Sequence, residues 1–204
     1  MNIRILITLL LGVALLCSCQ PKQLPVNSLA ERVTEGTSKD RILFQMIPQQ
    51  DNPSEDYFEI TPKDGKVLIT GNSDLSLATG LNWYLKYVAG IHLSWNNPTQ
   101  KLPETLPLPT EKIRQETDMK HRYYLNYCTY SYSTAFWDWA RWEKEIDWMA
   151  MHGINMPLSV TGIEVVWYNL LKRVGYTTEE INKFISGPAF MAWWQMNNLE
   201  GWGG

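Results

Sequence analysis

The sequence predicts an α+β domain followed by strand–helix units of a parallel sheet, the second region incomplete. Three observations carry this. Strand-like runs lead into one amphipathic helix before residue 97, prolines punctuate residues 98–119, and strands alternate with helices from residue 120 onward.

Residues 1–19 open with Met-Asn-Ile-Arg, continue as an apolar run from Ile5 to Leu16 and end in Leu16-Cys17-Ser18-Cys19. A short positive flank, a brief apolar stretch and small residues after it make an export signal, too short to span a bilayer comfortably. The end resembles a bacterial lipobox in which Cys19 is lipidated and becomes the mature N-terminus, although Cys17 departs from the usual Ala, Ser or Thr. The expected location is therefore outside the cytoplasm, membrane-anchored, at the periplasmic or cell surface. With Cys17 removed and Cys19 lipidated, Cys128 is the remaining free thiol and no intramolecular disulfide forms. Residues 20–27 read as a polar tether, with a short helix near Ser28 to Val33.

In the small α+β domain expected at 28–97, Arg41–Ile47, Tyr57–Ile60 and Lys66–Thr70 have strand character, and Asp64-Gly65 signals a hairpin. Asn72-Ser-Asp74 supplies helix-capping residues, after which Leu77, Leu81, Tyr84, Leu85 and Val88 recur at helical spacing until Gly90. That single apolar face needs a sheet to cover. Ile91-His-Leu93 closes the domain. Pro98, Pro103, Pro107 and Pro109 favour extended backbone, so residues 98–119 read as a linker.

In the remaining region, 120–204, Arg122–Thr129 reads as a strand, and Trp139, Trp142, Ile146 and Met149 share one helical face up to Gly153. The first two of these Trp are expected, with Trp148, in the core. Ile154–Val160 is a second strand and Ile163–Val174 a second helix. Thr177-Thr-Glu-Glu180 is a capping box opening a further helix that ends near Gly187-Pro188. Short connections imply parallel strands, and two such units leave an open sheet edge.

A net charge of −3 over 204 residues, with no basic block, gives no electrostatic reason to expect nucleic acid. Ten Trp and ten Tyr favour neutral partners. The stretch Tyr123 to Trp142 concentrates rings, hydroxyls, an amide and a thiol, a mixture suited to the apolar faces and hydrogen-bonding edges of a sugar. His92, His121 and His152 are isolated, so no metal is expected, and no cofactor either.

Asn126-Tyr-Cys-Thr-Tyr-Ser-Tyr-Ser133, Trp137-Asp-Trp-Ala-Arg-Trp142, His152-Gly-Ile-Asn155 and Gly187-Pro-Ala-Phe-Met-Ala-Trp193 closely resemble the α-N-acetylglucosaminidase family of glycoside hydrolases. The resemblance implies a (β/α)8 TIM barrel, here truncated after its first units, and removal of terminal α-linked N-acetylglucosamine from glycans with retention. It also implies that the two catalytic glutamates lie beyond Gly204, so no catalytic residue is assigned and the chain by itself is expected to be inactive.

By motif, Asn126, Cys128, Tyr132, Trp193 and Met196 match positions that line the family's sugar pocket. From the residues alone, Asn126 reads equally as a satisfied polar core residue, and Trp193 and Met196 as hydrophobic core. Glu164 follows Thr161-Gly162 just after the second strand, where it would face the mouth of a barrel, and is equally explained by the helix dipole; the resemblance assigns it no catalytic role. Asp138, Glu143, Glu145 and Asp147 read as a solvated face or salt bridges. Two other readings are a lipid-anchored carbohydrate-binding module and a different hexosaminidase or glucuronidase with the same domain order.

Overall fold

The computed structural model describes residues 23–47 and 56–196; the expected export signal and Cys19 lie outside them. The first unit starts with helix α1 (Pro25–Val33) and contains a four-stranded sheet of β1 (Ile42–Met46), β2 (Asp56–Lys63), β3 (Lys66–Gly71) and β4 (Ile113–Thr117), in the order β1-β3-β2-β4. β2 and β3 form the expected hairpin. Asp64 and Gly65 turn with φ of 52° and 74°, the left-handed pair that matches strand twist.

Alternation along the strands turns Phe58, Ile60, Val67 and Ile69 to one face, where helix α2 (Asp74–Trp83) lays Leu77 and Leu81. α2 begins where its cap dictates: Ser76 N donates to Ser73 Oγ and Ser73 N donates to Ser76 Oγ, each at 3.0 Å. A wider helical turn, Tyr84–Val88, then carries Tyr84 and Leu85 into the same core. Gly80 brings α2 close to the sheet. A Cβ there would stand 2.7 Å from Ile69 Cγ2 and 3.1 Å from Phe58 Cγ.

Two boundaries expected from sequence are corrected. The tether at 20–27 overlaps α1, which starts at Pro25 and buries Val26, because Val26, Leu29, Ala30 and Val33 make one apolar face that the core accepts. The linker at 98–119 is largely part of the first unit. Gln100 N donates to Val33 O at 2.9 Å, Leu102 is buried in the core, and β4 pairs antiparallel with β2 from Ile60↔Ile113 to Asp56↔Thr117. Proline excludes helix but not an edge strand, and the run Ile113–Thr117 contains none.

The second unit holds β5 (Tyr123–Tyr124), α3 (Tyr127–Tyr132), α4 (Trp139–Met151), β6 (Met156–Pro157), α5 (Ile163–Arg173), α6 (Thr178–Phe184), a 3-10 turn at Pro188–Phe190 and α7 (Met191–Gln195). β5 and β6 are parallel, as the short connections require. Both strands are far shorter than expected. Leu125 takes φ 72° and breaks the extended run, and Asn126 then caps α3, so the second half of Arg122–Thr129 is helix. The α6 capping box forms as read, with Glu180 N donating to Thr177 Oγ1 at 3.2 Å.

The packing of α4 also departs from the apolar pattern. Trp139 is 68% exposed and Ile146 is exposed, whereas Glu145, Asp147, Met149 and Met151 are buried. Two i,i+4 pairs explain this: Asp147 and Met151 meet the first unit, and Glu145 lies on the stripe with Met149. Partners supplied by distant segments let carboxylates displace aromatics from the interior.

Candidate active-site wall and groove

Parallel strands collect functional groups at their carboxyl ends. Here β5 runs out into Leu125-Asn126 and β6 into Leu158–Val160, with Leu158 N donating to Tyr124 O at 2.9 Å. α3 grows from the first of these ends and presents two faces.

The outer face carries the residues picked from sequence. Cys128 and Tyr132, four apart on α3, are both exposed. Tyr132 is 78% exposed, and its ring meets Trp193 edge-to-face at 5.1 Å and 84°. Trp193 is placed by its neighbour Ala192, which is buried against Tyr130 and Val160 and whose N donates to the buried Ser131 Oγ at 3.1 Å, fastening α7 to α3. Met196 is the half-buried residue that ends α7, three positions after Trp193. Asn126 stands at the start of α3, where its Oδ1 accepts from Thr129 N and Thr129 Oγ1, both at 3.1 Å. Its side-chain amide oxygen is therefore committed to capping, which leaves the side-chain NH2 group as a donor on an exposed residue. Tyr132 and Trp193 are brought together, Cys128 shares the α3 face of Tyr132, and Asn126 and Met196 are not joined to them by a hydrogen bond or ring contact among the described residues.

The inner face of α3 forms a groove of about 290 Å³. Tyr130 is buried, donates its hydroxyl to Leu158 O and stacks on Trp142 with centroids 6.0 Å apart. Burial pushes its phenol pKa above the ordinary value. Trp137, Thr134, Thr161 and Glu164 complete the polar and aromatic lining. Sequence reasoning placed Trp142 in the core and passed over Tyr130 and Trp137. The signal was their inclusion in the same aromatic stretch, but helical period alone did not distinguish a groove wall from a core.

Behind the groove sits a charged hub. Glu145, 1% exposed, accepts from Trp95 Nε1 at 2.5 Å and from Tyr124 OH at 3.1 Å, and its Oε2 pairs with Arg141 Nη2 at 3.3 Å. The Arg141 guanidinium lies over Trp137 at 3.8 Å and over Trp95 at 4.8 Å. Burial, then the neighbouring Glu145 charge, raises the Tyr124 phenol to about 12. The hub joins the first unit, through Trp95, to the wall of the groove.

Glu145 and Asp147 are thus bound into salt bridges, and Asp138 caps α4 by accepting from Arg141 N at 2.9 Å. Among the described residues Glu164 is the one carboxylate lining the groove. Among the described residues no group of three or more His, Cys, Asp or Glu is placed to hold a metal ion.

Residues 24–108 match the family model described as the alpha-N-acetylglucosaminidase (NAGLU) N-terminal domain, and residues 122–204 match the model of the alpha-N-acetylglucosaminidase (NAGLU) tim-barrel domain. The human alpha-N-acetylglucosaminidase is 44% identical over 139 residues, 68% of this chain and 19% of that protein. The structure is similar to a Family 89 Glycoside Hydrolase from Clostridium perfringens in complex with 2-acetamido-1,2-dideoxynojirmycin, with a TM-score of 0.80, 42% identity, and coverage of 88% of this chain and 20% of that one. A Clostridium perfringens variant with two glutamates changed to glutamine, in complex with its substrate GlcNAc-alpha-1,4-galactose, matches with a TM-score of 0.78, 44% identity and the same coverage. The chain spans about a fifth of the length of these relatives.

Proposed function

We propose that this chain, which belongs to the α-N-acetylglucosaminidase family, supplies one wall of the sugar pocket of a retaining exo-glycosidase that removes terminal α-linked N-acetylglucosamine from glycans. The observation that carries this is the Tyr132–Trp193 pair: Tyr132 is exposed on the α3 face that also holds Cys128, past the carboxyl end of β5, and half-buried Trp193 of α7 meets its ring. An indole and a phenol at right angles offer an apolar corner for the C–H face of a sugar. The Asn126 amide NH2 and the Cys128 thiol offer edges for its hydroxyls.

The nucleophile and the acid/base come from outside these 204 residues. Retaining glycosidases hold two carboxyl groups about 5 Å apart, and among the described residues the groove presents Glu164 alone. The full (β/α)8 barrel is part of the same reading. It is supported by α5, which has no buried residue and exposes Val165, Val166 and Leu170, a surface that further βα units would cover. Export and lipid anchoring through Cys19 complete it.

The deciding experiment is hydrolysis of an aryl α-N-acetylglucosaminide by a protein that continues these residues through the remaining barrel. Turnover with net retention is expected, with kcat/KM at least tenfold lower in Tyr132→Ala, and none from the 204-residue chain alone. Turnover by the short chain that Glu164→Gln abolishes would reassign the chemistry. Palmitate incorporation in the parent cell, lost in Cys19→Ala, tests the anchor.

A further inference from the structure

The buried Glu145 carboxylate takes donors from three separate segments: Trp95 of the first unit, Tyr124 of β5 and Arg141 of α4. A carboxylate suits this place because it accepts on both oxygens, whereas the isosteric glutamine would turn an NH2 group toward one of the three donors. A buried charge that loses a donor is left partly unsatisfied, so the three segments are held in one arrangement. The Arg141 guanidinium that balances the charge also lies over the Trp95 ring at 4.8 Å and fixes its plane.

Both ends of this junction are stiff. Trp95 stands in a tight turn closed by Ser94 N donating to Asn97 O and Asn97 N donating to Ser94 O, each at 3.0 Å, and the turn follows Ile91 and Leu93, which are buried in the first core. Tyr124 is the last residue of β5, and its carbonyl accepts from Leu158 N of the neighbouring chain segment at 2.9 Å. Leu125 follows with φ 72°, a conformation that a leucine keeps only where its surroundings impose it. Asn126 comes next, with its Oδ1 on Thr129 N. The path from the first unit to Asn126 therefore crosses one carboxylate, one phenol and one constrained backbone bend.

We propose that Glu145 is a positioning residue through which the first unit, by way of Trp95, sets the end of β5 and with it Asn126. The first unit then works as part of the active-site scaffold, although none of its residues reaches the wall. This rests on the sugar-wall reading of Asn126 above and adds to it a residue that touches no sugar.

The test uses the protein continued through the remaining barrel. Trp95→Phe removes one donor and keeps a ring for Arg141, and Glu145→Gln is the second variant, expected to show both effects more strongly. With an aryl α-N-acetylglucosaminide, kcat/KM should fall at least fivefold in Trp95→Phe, but less than twofold when the same change is made in Asn126→Ala, because two residues on one path do not add. Hydrogen exchange over residues 125–133 should quicken at least threefold in Trp95→Phe while the β2–β3 hairpin keeps its rate, a local response that a general loss of stability does not give. Equal fivefold losses in both backgrounds, or exchange at 125–133 that stays unchanged or quickens together with the hairpin, overturn the proposal. A large loss in Asn126→Ala with none in Trp95→Phe and Glu145→Gln sinks the positioning role and leaves the wall standing. Full activity in Asn126→Ala moves the wall off that residue and overturns the proposal with it. Absence of any turnover rejects the exo-glycosidase reading, and the exchange readout then decides the coupling by itself.

Discussion

Arg32 grips Asp147 across 115 residues of sequence, donating from Nε to Oδ2 at 2.7 Å and from Nη2 to Oδ1 at 2.6 Å. The pair ties α1, at the start of the first unit, to α4 of the second. Asp147 is buried, while the Arg32 side chain is 39% exposed and also lies 3.7 Å from Glu143. The two partners are therefore not equivalent. Asp147→Ala strands a cation that water still reaches and is expected to cost about 2 kcal/mol. Arg32→Ala leaves a carboxylate buried without its cation and should cost more. Urea unfolding of the two variants checks the order, and an equal or reversed order would show that solvent reaches Asp147 in the variant.

Gly80→Ala sets two effects against each other. Alanine in a helix interior gains about 1 kcal/mol over glycine. The added methyl would meet Ile69 and Phe58, both buried in the sheet, and overpacking costs about 1–3 kcal/mol. Net destabilisation is expected in thermal unfolding, because the sheet behind those two side chains is hydrogen-bonded on both sides of β3. A stabilised variant would mean that α2 can lift off the sheet.

Tyr84 and Tyr124 titrate at about 12 in the folded chain, against an ordinary value of 10.0, chiefly through burial. The unfolded state loses these protons first as pH rises. Stability from both groups is fully present below about pH 10 and is lost progressively as pH climbs toward 12. Tyr124→Phe should shallow the alkaline fall in stability between those limits. It also removes one of Glu145's donors, so a lower plateau at pH 8 accompanies the shallower slope.

Cys128 is exposed on the α3 face shared with Tyr132. A thiol reagent should modify it in the folded chain without denaturant. If that face is the sugar wall, saturating N-acetylglucosamine slows modification at least threefold in the barrel-completed protein. Tyr132→Ala relieves the protection. Unchanged rates with sugar bound elsewhere would move the wall away from α3.

The β2–β3 hairpin, α2 with its cap and the α6 capping box were legible because each is specified by neighbours a few residues apart, and the parallel sense of β5 and β6 because a helix crosses between them. Asp64-Gly65 turns wherever two strands flank it, and Thr177 needs only Glu180. The proposed sugar wall came from the family motifs rather than from periodicity. Tyr132 and Trp193 came from the resemblance and lie in contact, whereas Trp137, Tyr130 and the unpaired Ser186 were missed. Nothing local marks a serine as lacking a partner, since that depends on every segment folded around it.

By itself the sequence determined the order of two units, the segments able to become strand or helix, and the family motifs from Asn126 to Trp193. Tertiary structure alone decided which polar residues go inside. Glu145 and Asp147 are buried because Trp95, Tyr124, Arg141 and Arg32 arrive with donors, and Trp139 is left in water on the same helix. It also decided that Ile113–Thr117 joins the first sheet and that Leu125 ends β5. The physical reason is common to all of these. Periodicity reports which residues share a face, but the free energy of burying that face is set by the hydrogen-bond and packing partners that distant segments bring to it.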